Sequence, residues 1–145
     1  MTASVDPARS TSATAPPSSS PGRGRRAARV GAVLRGAVVL FLLLDGVTHV
    51  LAVRPVLDAF TALGFAPSAA RGIGILELVC LAVHLVPRTS VLGALLLTGY
   101  LGGAVAAHVR VSDPLLSTVL FPVYLGVALW AGLVLHRPAL RSLLR

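Results

Sequence analysis

The chain has 145 residues, of which 55% are hydrophobic and only 12% are charged, and its mean hydropathy is +0.84. A soluble domain carries about 25% charged residues, and a chain of this size cannot hide so many apolar side chains in one water-soluble core. The composition therefore excludes an ordinary soluble enzyme and predicts an all-α membrane protein.

The positive charge lies beside the apolar segments. Thirteen arginines and no lysine stand against five acidic residues, which gives a formal charge of +8. This distribution is typical of a membrane protein's orientation signal, so we expect no nucleic-acid partner. The single cysteine, Cys80, excludes an internal disulfide and any CxxC motif.

Residues 1–28 are predicted to form a disordered basic tail, because they are rich in Ser, Thr, Ala and Pro and have little to bury. An arginine cluster (Arg23, Arg25, Arg26 and Arg29) lies directly before the first apolar segment. It predicts an anchor at the inner leaflet, with a lipid or protein docking motif as the alternative. Residues 29–145 then form one transmembrane domain.

Four apolar segments predict a bundle of four transmembrane helices, since each span needs about 20 apolar residues. The predicted spans cover residues 32–53, 68–86, 91–109 and 115–136. Between the first two, the sequence RPVLDAFTALGFAPS predicts a short amphipathic helix on the membrane surface, with Gly64 at its C-terminal end. Short turns around Arg88 and Asp113 separate the later spans.

The arginine distribution predicts the orientation in the membrane. Ten arginines fall on the side of the two termini and three fall on the other side. The positive-inside rule therefore predicts that both termini are cytoplasmic. We expect a multi-pass protein of a bacterial plasma membrane, with the lipid bilayer as its partner.

Every predicted span carries polar groups at a similar depth. Ionisable side chains cost roughly 2.5–3.5 kcal/mol near the bilayer centre and usually face the protein interior. We therefore predict one polar pocket in the outward half of the bundle, for a proton, a quinone head group or another small polar ligand. Its residues are Asp45, His49, Glu77, Tyr100, Tyr124, His108 and Arg110. The alternative is a structural network of the same groups.

Catalytic and metal-binding motifs are missing from the sequence. It contains no GxSxG, HExxH or P-loop, so we predict no catalytic residue and lean against an enzyme. The histidines and carboxyls are competent metal ligands, but no close His/Cys ligand motif groups them, so no metal site is predicted.

Gly99 and Gly103 form a GxxxG pair in the third span. Small residues at this spacing let membrane helices approach closely. The pair predicts helix packing within the bundle, or contact between chains in a homo-oligomer.

Three stretches together carry a resemblance to a known family. They are FLLLDGVTHVL, then GIGILELVCLAVHLVPRTSVLGALLLTGYLGGAVAAHVRV, then FPVYLGVALWAGL. Over about residues 35 to 145 the chain resembles the DoxX-like family of small bacterial membrane proteins. The resemblance places Glu77 on the family's acidic position and His49 where many relatives have lysine.

The resemblance also implies a function. The family is similar to a subunit of an archaeal thiosulfate:quinone oxidoreductase, and some relatives are linked to redox assemblies. The leading expectation is therefore an accessory subunit of a membrane redox or quinone-linked assembly, with quinone as the candidate ligand and no bound cofactor of its own. The alternatives are a proton-coupled transporter or channel for a small solute, and a structural or assembly protein without a ligand.

Overall fold

The protein is all-helical over the residues that the structure, a computed structural model, describes, which are 21–136. No strand occurs among these residues. The helices in chain order are α1 (Pro21–Val50), α2 (Arg54–Ala62), α3 (Ala69–Leu85), α4 (Ser90–Arg110), a π-helical turn (Leu115–Val119) and α5 (Phe121–His136).

Helix α1 begins earlier than the predicted span. Pro21 stands at its first position, where proline is favoured, and alanines and arginines that favour helix follow. Residues 21–28, predicted as part of the tail, are therefore helical, whereas residues 1–20 of that tail lie outside the described residues. The helix ends at Val50 rather than residue 53, because the chain turns at Ala52, which has a φ of 51°.

Three of the described helical segments are long and apolar enough to cross a membrane: Arg25–Val50, Ser90–Arg110 and Leu115–Leu135. The third combines the π-helical turn with α5. Only 22–28% of each apolar segment is buried inside the protein. So much exposed apolar surface requires lipid around it, which makes the chain a multi-pass membrane protein.

Helices α1, α3, α4 and α5 contact one another in a closed cycle. Helix α1 packs between α3 and α5, and α4 packs between the same two helices on the other side. Leucines from all four helices meet along the centre. The buried core consists of Val38, Leu42, Cys80, Leu81, Ala94, Leu97, Leu101, Leu129 and Leu133.

The helices approach one another most closely at glycines, but these glycines are Gly74 and Gly93 and not the GxxxG pair of α4. A Cβ at Gly74 would lie 2.6 Å from the His49 Cβ, and one at Gly93 would overlap the backbone of His84. At Gly99 and Gly103 a Cβ would meet nothing within 4 Å. These two glycines therefore make no close approach to another described helix of the chain, since they line a cavity, and their contact with a second chain stays a prediction.

Helix α2 ends as the sequence predicts. Gly64 adopts a φ of +73°, and the Phe65 N–H donates to the Phe60 carbonyl at 2.8 Å, which closes the end of the helix. The Arg110 guanidinium, from the end of α4, donates to the Leu63 carbonyl and lies 5.2 Å from the centre of the Phe65 ring. These contacts tie α2 to α4.

Candidate functional site

A large cavity lies among the long helices, and α2 closes one side of it. Its volume is about 860 Å³, and its walls are mostly apolar. Helix α2 contributes Pro55, Val56, Ala59 and Phe60, and Phe121 and Pro122 at the start of α5 also line the cavity. Pockets of about 300–1,000 Å³ with apolar walls and a few convergent polar groups are typical of small-molecule sites.

Polar groups gather at one corner of this cavity, which we call the acidic corner and define by Asp45, His49, Glu77 and Tyr100. Asp45, His49 and Tyr100 line the cavity directly. Glu77 lies behind them and has no exposed surface. Its Oε2 accepts a hydrogen bond of 2.9 Å from the Tyr100 hydroxyl. Three helices thus contribute to a single polar cluster.

Close packing of α1 against α3 creates the acidic corner. Gly74 sits against the α1 backbone, where an added Cβ would lie 2.9 Å from the Gly46 carbonyl oxygen. Gly46 in turn faces Leu78 and Glu77, with the Glu77 Oε2 3.5 Å from the position of a Cβ. Because each helix has a glycine at this contact, the Glu77 carboxyl reaches the side chains of Asp45 and His49, which lie one turn apart on α1.

The His49 ring is held in place on two sides. Its Nδ1 lies 2.8 Å from the Asp45 carbonyl oxygen, which can only accept, so this nitrogen carries the proton and donates it. The same nitrogen lies 3.6 Å from the Asp45 Oδ2. The Phe60 ring of α2 meets the imidazole edge-on, with 5.4 Å between the ring centres. The donated hydrogen bond leaves the lone pair on Nε2.

One oxygen of Glu77 has no hydrogen-bond partner. Its Oε1 is fully buried and unpaired among the described residues. Buried carboxylate oxygens are costly without a partner, so this atom marks a place where a ligand atom or an ion would be stabilised.

The structure separates three of the predicted pocket residues from the acidic corner. Tyr124 is 50% exposed on the outer face of α5 and does not line the cavity, because Pro122 and Leu125 occupy the inward face. His108 lines the cavity, but its Nδ1 pairs with the Asp113 Oδ2 at 2.6 Å. The Arg110 side chain, from the end of α4, contacts Leu63 and Phe65 after α2.

Two features of the cavity were missed from the sequence. Residues of α2 form a wall, although its apolar face was assigned to the membrane surface. The apolar positions Val56, Phe60 and Leu63 could have indicated this wall, since an apolar helical face packs on protein as readily as on lipid. Asp113 was assigned only to a turn, and its proximity to His108 follows from the way the chain bends after α4.

The acidic corner can bind polar groups in several ways. Asp45 and Glu77 offer carboxylate oxygens, and His49 offers a ring nitrogen. One such atom from each of the three residues lies within 4.8 Å of the others. The arrangement can accept hydrogen bonds from a ligand, hold a proton or coordinate a cation, next to an apolar space for a hydrophobic group.

Comparison with known proteins identifies one family. No curated protein and no solved structure matches the chain. The model of the DoxX-like family matches residues 33–132, which is about two thirds of the sequence and contains the whole acidic corner. The chain belongs to the DoxX-like family.

Proposed function

We propose that this protein binds an amphiphilic small molecule of the quinone class in the cavity beneath α2, as an accessory subunit of a redox or quinone-linked assembly in the bacterial plasma membrane. The observation that carries the proposal is the cavity itself, about 860 Å³ of mainly apolar space with polar groups at one corner. A ring with two oxygens and an isoprenoid chain matches both parts.

The polar groups of the cavity fit the head group of such a ligand. His49 and Asp45 line the wall, and the His49 Nε2 and the Asp45 carboxylate can accept hydrogen bonds from the two hydroxyl groups of the reduced, quinol form of the ligand. The apolar tail would lie between α4 and α2, along Gly99, Gly103 and Ala107 on one side and Val56 and Ala59 on the other. Since these α4 positions carry small side chains, they leave width for the tail.

The proposal includes a fourth membrane span and a defined orientation. Helix α3 has 17 residues and a length of about 26 Å, which reaches the lower end of the range for a membrane span. It packs between α1 and α4, so it crosses with them as part of a four-helix bundle. The arginine distribution supports cytoplasmic termini, and α2 then lies at the outer interface.

A cavity-filling variant tests the proposal. Gly103→Leu adds a side chain to a residue that lines the cavity, at a position where a Cβ meets nothing within 4 Å, so its branched end would occupy cavity space. Gly102→Leu on the same helix is the matched control, since Gly102 also has free space around it but lies outside this cavity. The measurement is the thermal stability of full-length detergent-purified protein, with short-chain ubiquinone and menaquinone analogues added.

Quinone is expected to raise the Tm of the wild type and of Gly102→Leu with increasing concentration, because a ligand that binds only the folded state stabilises it. Gly103→Leu should show no such rise. The proposal is wrong if the wild type does not respond, or if Gly103→Leu responds as the wild type does. A purification from membranes that captures no redox protein would remove the accessory-subunit part alone.

A further inference from the structure

The acidic corner contains three side chains whose ligand atoms are close enough to share one ion. A carboxylate oxygen of Asp45, one of Glu77 and a ring nitrogen of His49 lie within 4.8 Å of one another. An ion about 2.1 Å from each ligand separates its ligand atoms by roughly 3 to 4 Å, so binding would draw the three side chains closer together. From these positions we infer that Asp45, His49 and Glu77 form a binding site for a divalent first-row metal ion.

The unpaired oxygen of Glu77 is independent support. Glu77 is fully buried, and its Oε1 has no hydrogen-bond partner among the residues described. Within residues 25–135, both ion pairs join a histidine to an aspartate, and no arginine pairs with Asp45 or Glu77. Among these residues His49 is therefore the one potential cationic neighbour of the two carboxyl groups, and a bound cation would offset the cost of burying a charged Glu77.

The neighbours of the three ligands orient them as metal ligands are usually oriented. A histidine that binds a metal commonly donates its other ring N–H to a backbone carbonyl or carboxylate. His49 does this through Nδ1, at 2.8 Å from the Asp45 carbonyl oxygen. The Tyr100 hydroxyl holds the Glu77 Oε2 at 2.9 Å. Each contact orients one metal-binding side chain and leaves another of its atoms available for the ion: Nε2 of His49 and Oε1 of Glu77.

The site has a route of entry and an open side. The Asp45 side chain is 36% exposed and the His49 side chain 15% exposed, and both line the cavity. An ion can therefore reach the three ligands from the cavity, and its remaining coordination positions face that space. One nitrogen and two carboxylates suit Mn²⁺, Fe²⁺ or Zn²⁺ rather than Cu⁺. The site extends the proposed function, because an ion there would contact the polar head of a cavity ligand.

The experiment measures metal binding without any quinone. Full-length protein in detergent, freed of its purification tag and treated with EDTA, is titrated with MnCl₂ and with ZnCl₂ by equilibrium dialysis. The variants Asp45→Asn, His49→Gln and Glu77→Gln each remove one ligand. His108→Gln and Asp113→Asn are the matched controls, because they alter the other histidine–aspartate pair of the same protein.

We expect one ion per wild-type chain, at least tenfold weaker binding in each of the three ligand variants, and unchanged binding in the two controls. Tyr100→Phe should weaken binding by about tenfold, as is usual for groups that orient a ligand. Should Glu77→Gln fail to fold, the two α1 variants decide the outcome.

The inference is overturned if the wild type binds neither ion, or if the ligand variants bind as the wild type does. Quinone binding by a protein without a metal site would leave the proposed function intact. If the wild type binds the metal ion but its Tm does not respond to quinone, the proposed function is wrong and the metal site remains.

Discussion

The hydrogen bond between Tyr100 and Glu77 joins α4 to α3 inside the protein, at 2.9 Å from hydroxyl to carboxyl oxygen. Tyr100→Phe removes this donor and leaves a second oxygen of Glu77 unpaired, which we expect to lower the free energy of unfolding by about 1 kcal/mol. Tyr124→Phe is the control and should have little effect, because Tyr124 is 50% exposed on α5. Chemical denaturation in detergent measures both changes.

A second background separates the hydrogen bond from the packing of the ring. In Glu77→Met the acceptor is absent, so adding Tyr100→Phe should cost much less than it does in the wild type. An equal cost in both backgrounds would contradict the role of the hydrogen bond.

The sequence predicted the residues of the acidic corner better than their surroundings. Depth along each span placed Asp45, His49, Glu77 and Tyr100 at similar levels, and the structure brings these four together. Depth does not specify the direction in which a side chain points. Tyr124 has a comparable depth but lies on the outer face of α5, and that rotation depends on packing with α1 and α4.

At the scale of elements, Gly93 sets the distance between α3 and α4. A Cβ at this position would overlap the backbone nitrogen and Cα of His84. Gly93→Ala should therefore destabilise the protein by about 2 kcal/mol or more, since two backbones cannot move apart without disturbing the core. Thermal unfolding of the purified protein measures this loss.

Gly99→Ala on the same helix is the matched control for Gly93→Ala. A Cβ at Gly99 meets nothing within 4 Å, and alanine favours helix by up to about 1 kcal/mol over glycine. The control should therefore be neutral or slightly stabilising. Equal destabilisation by both variants would mean that Gly99 also packs against a helix, for example one from a second chain.

Helix α2 covers the cavity mainly through Phe60, which is 6% exposed and packs on His49 and Phe65. Phe60→Ala should loosen α2 and admit reagents to the cavity. Cys80 reports this, because it is the single cysteine, is 4% exposed and lines the cavity. We expect its alkylation by a small maleimide to become several times faster, whereas Thr61→Ala on the exposed side of α2 should leave the rate unchanged. An unchanged rate in Phe60→Ala would show that α2 does not control access.

The bounds of most helices were predictable because apolar runs ended at clear signals. Helices α3 and α4 begin and end within one residue of the predicted spans, next to the turn at Pro87–Thr89. The early start of α1 was not predicted, since alanine and arginine between residues 25 and 29 fit a tail and a helix equally well. The close-packing glycines were also missed, because Gly74 and Gly93 form no GxxxG pattern.

At the scale of the whole molecule, exposed apolar surface and arginine position determine how the protein sits in a membrane. In a Cys80→Ala background, a single cysteine replaces Thr61 on α2 or Arg88 in the turn after α3, both of which are exposed. In intact cells a membrane-impermeant maleimide should label Thr61→Cys and not Arg88→Cys. Permeabilised cells, in which both should react, are the control.

The reverse labelling pattern would contradict cytoplasmic termini. Labelling of both cysteines from outside would contradict the proposed crossing by α3, because it would place the two ends of that helix on the same side. The reverse pattern would also place α2 and the cavity mouth on the cytoplasmic side and change which compartment supplies the ligand.

Photolabelling of the full-length protein in native membranes with a photoreactive quinone analogue, followed by mass-spectrometric mapping, tests directly whether a quinone occupies the cavity. We expect label on cavity residues of α2 and α4, such as Ala59 and Ala107, and loss of that label with excess unlabelled quinone. Label confined to the lipid-facing groove of α4 and α5, around Val105 and Val127, without competition would contradict it.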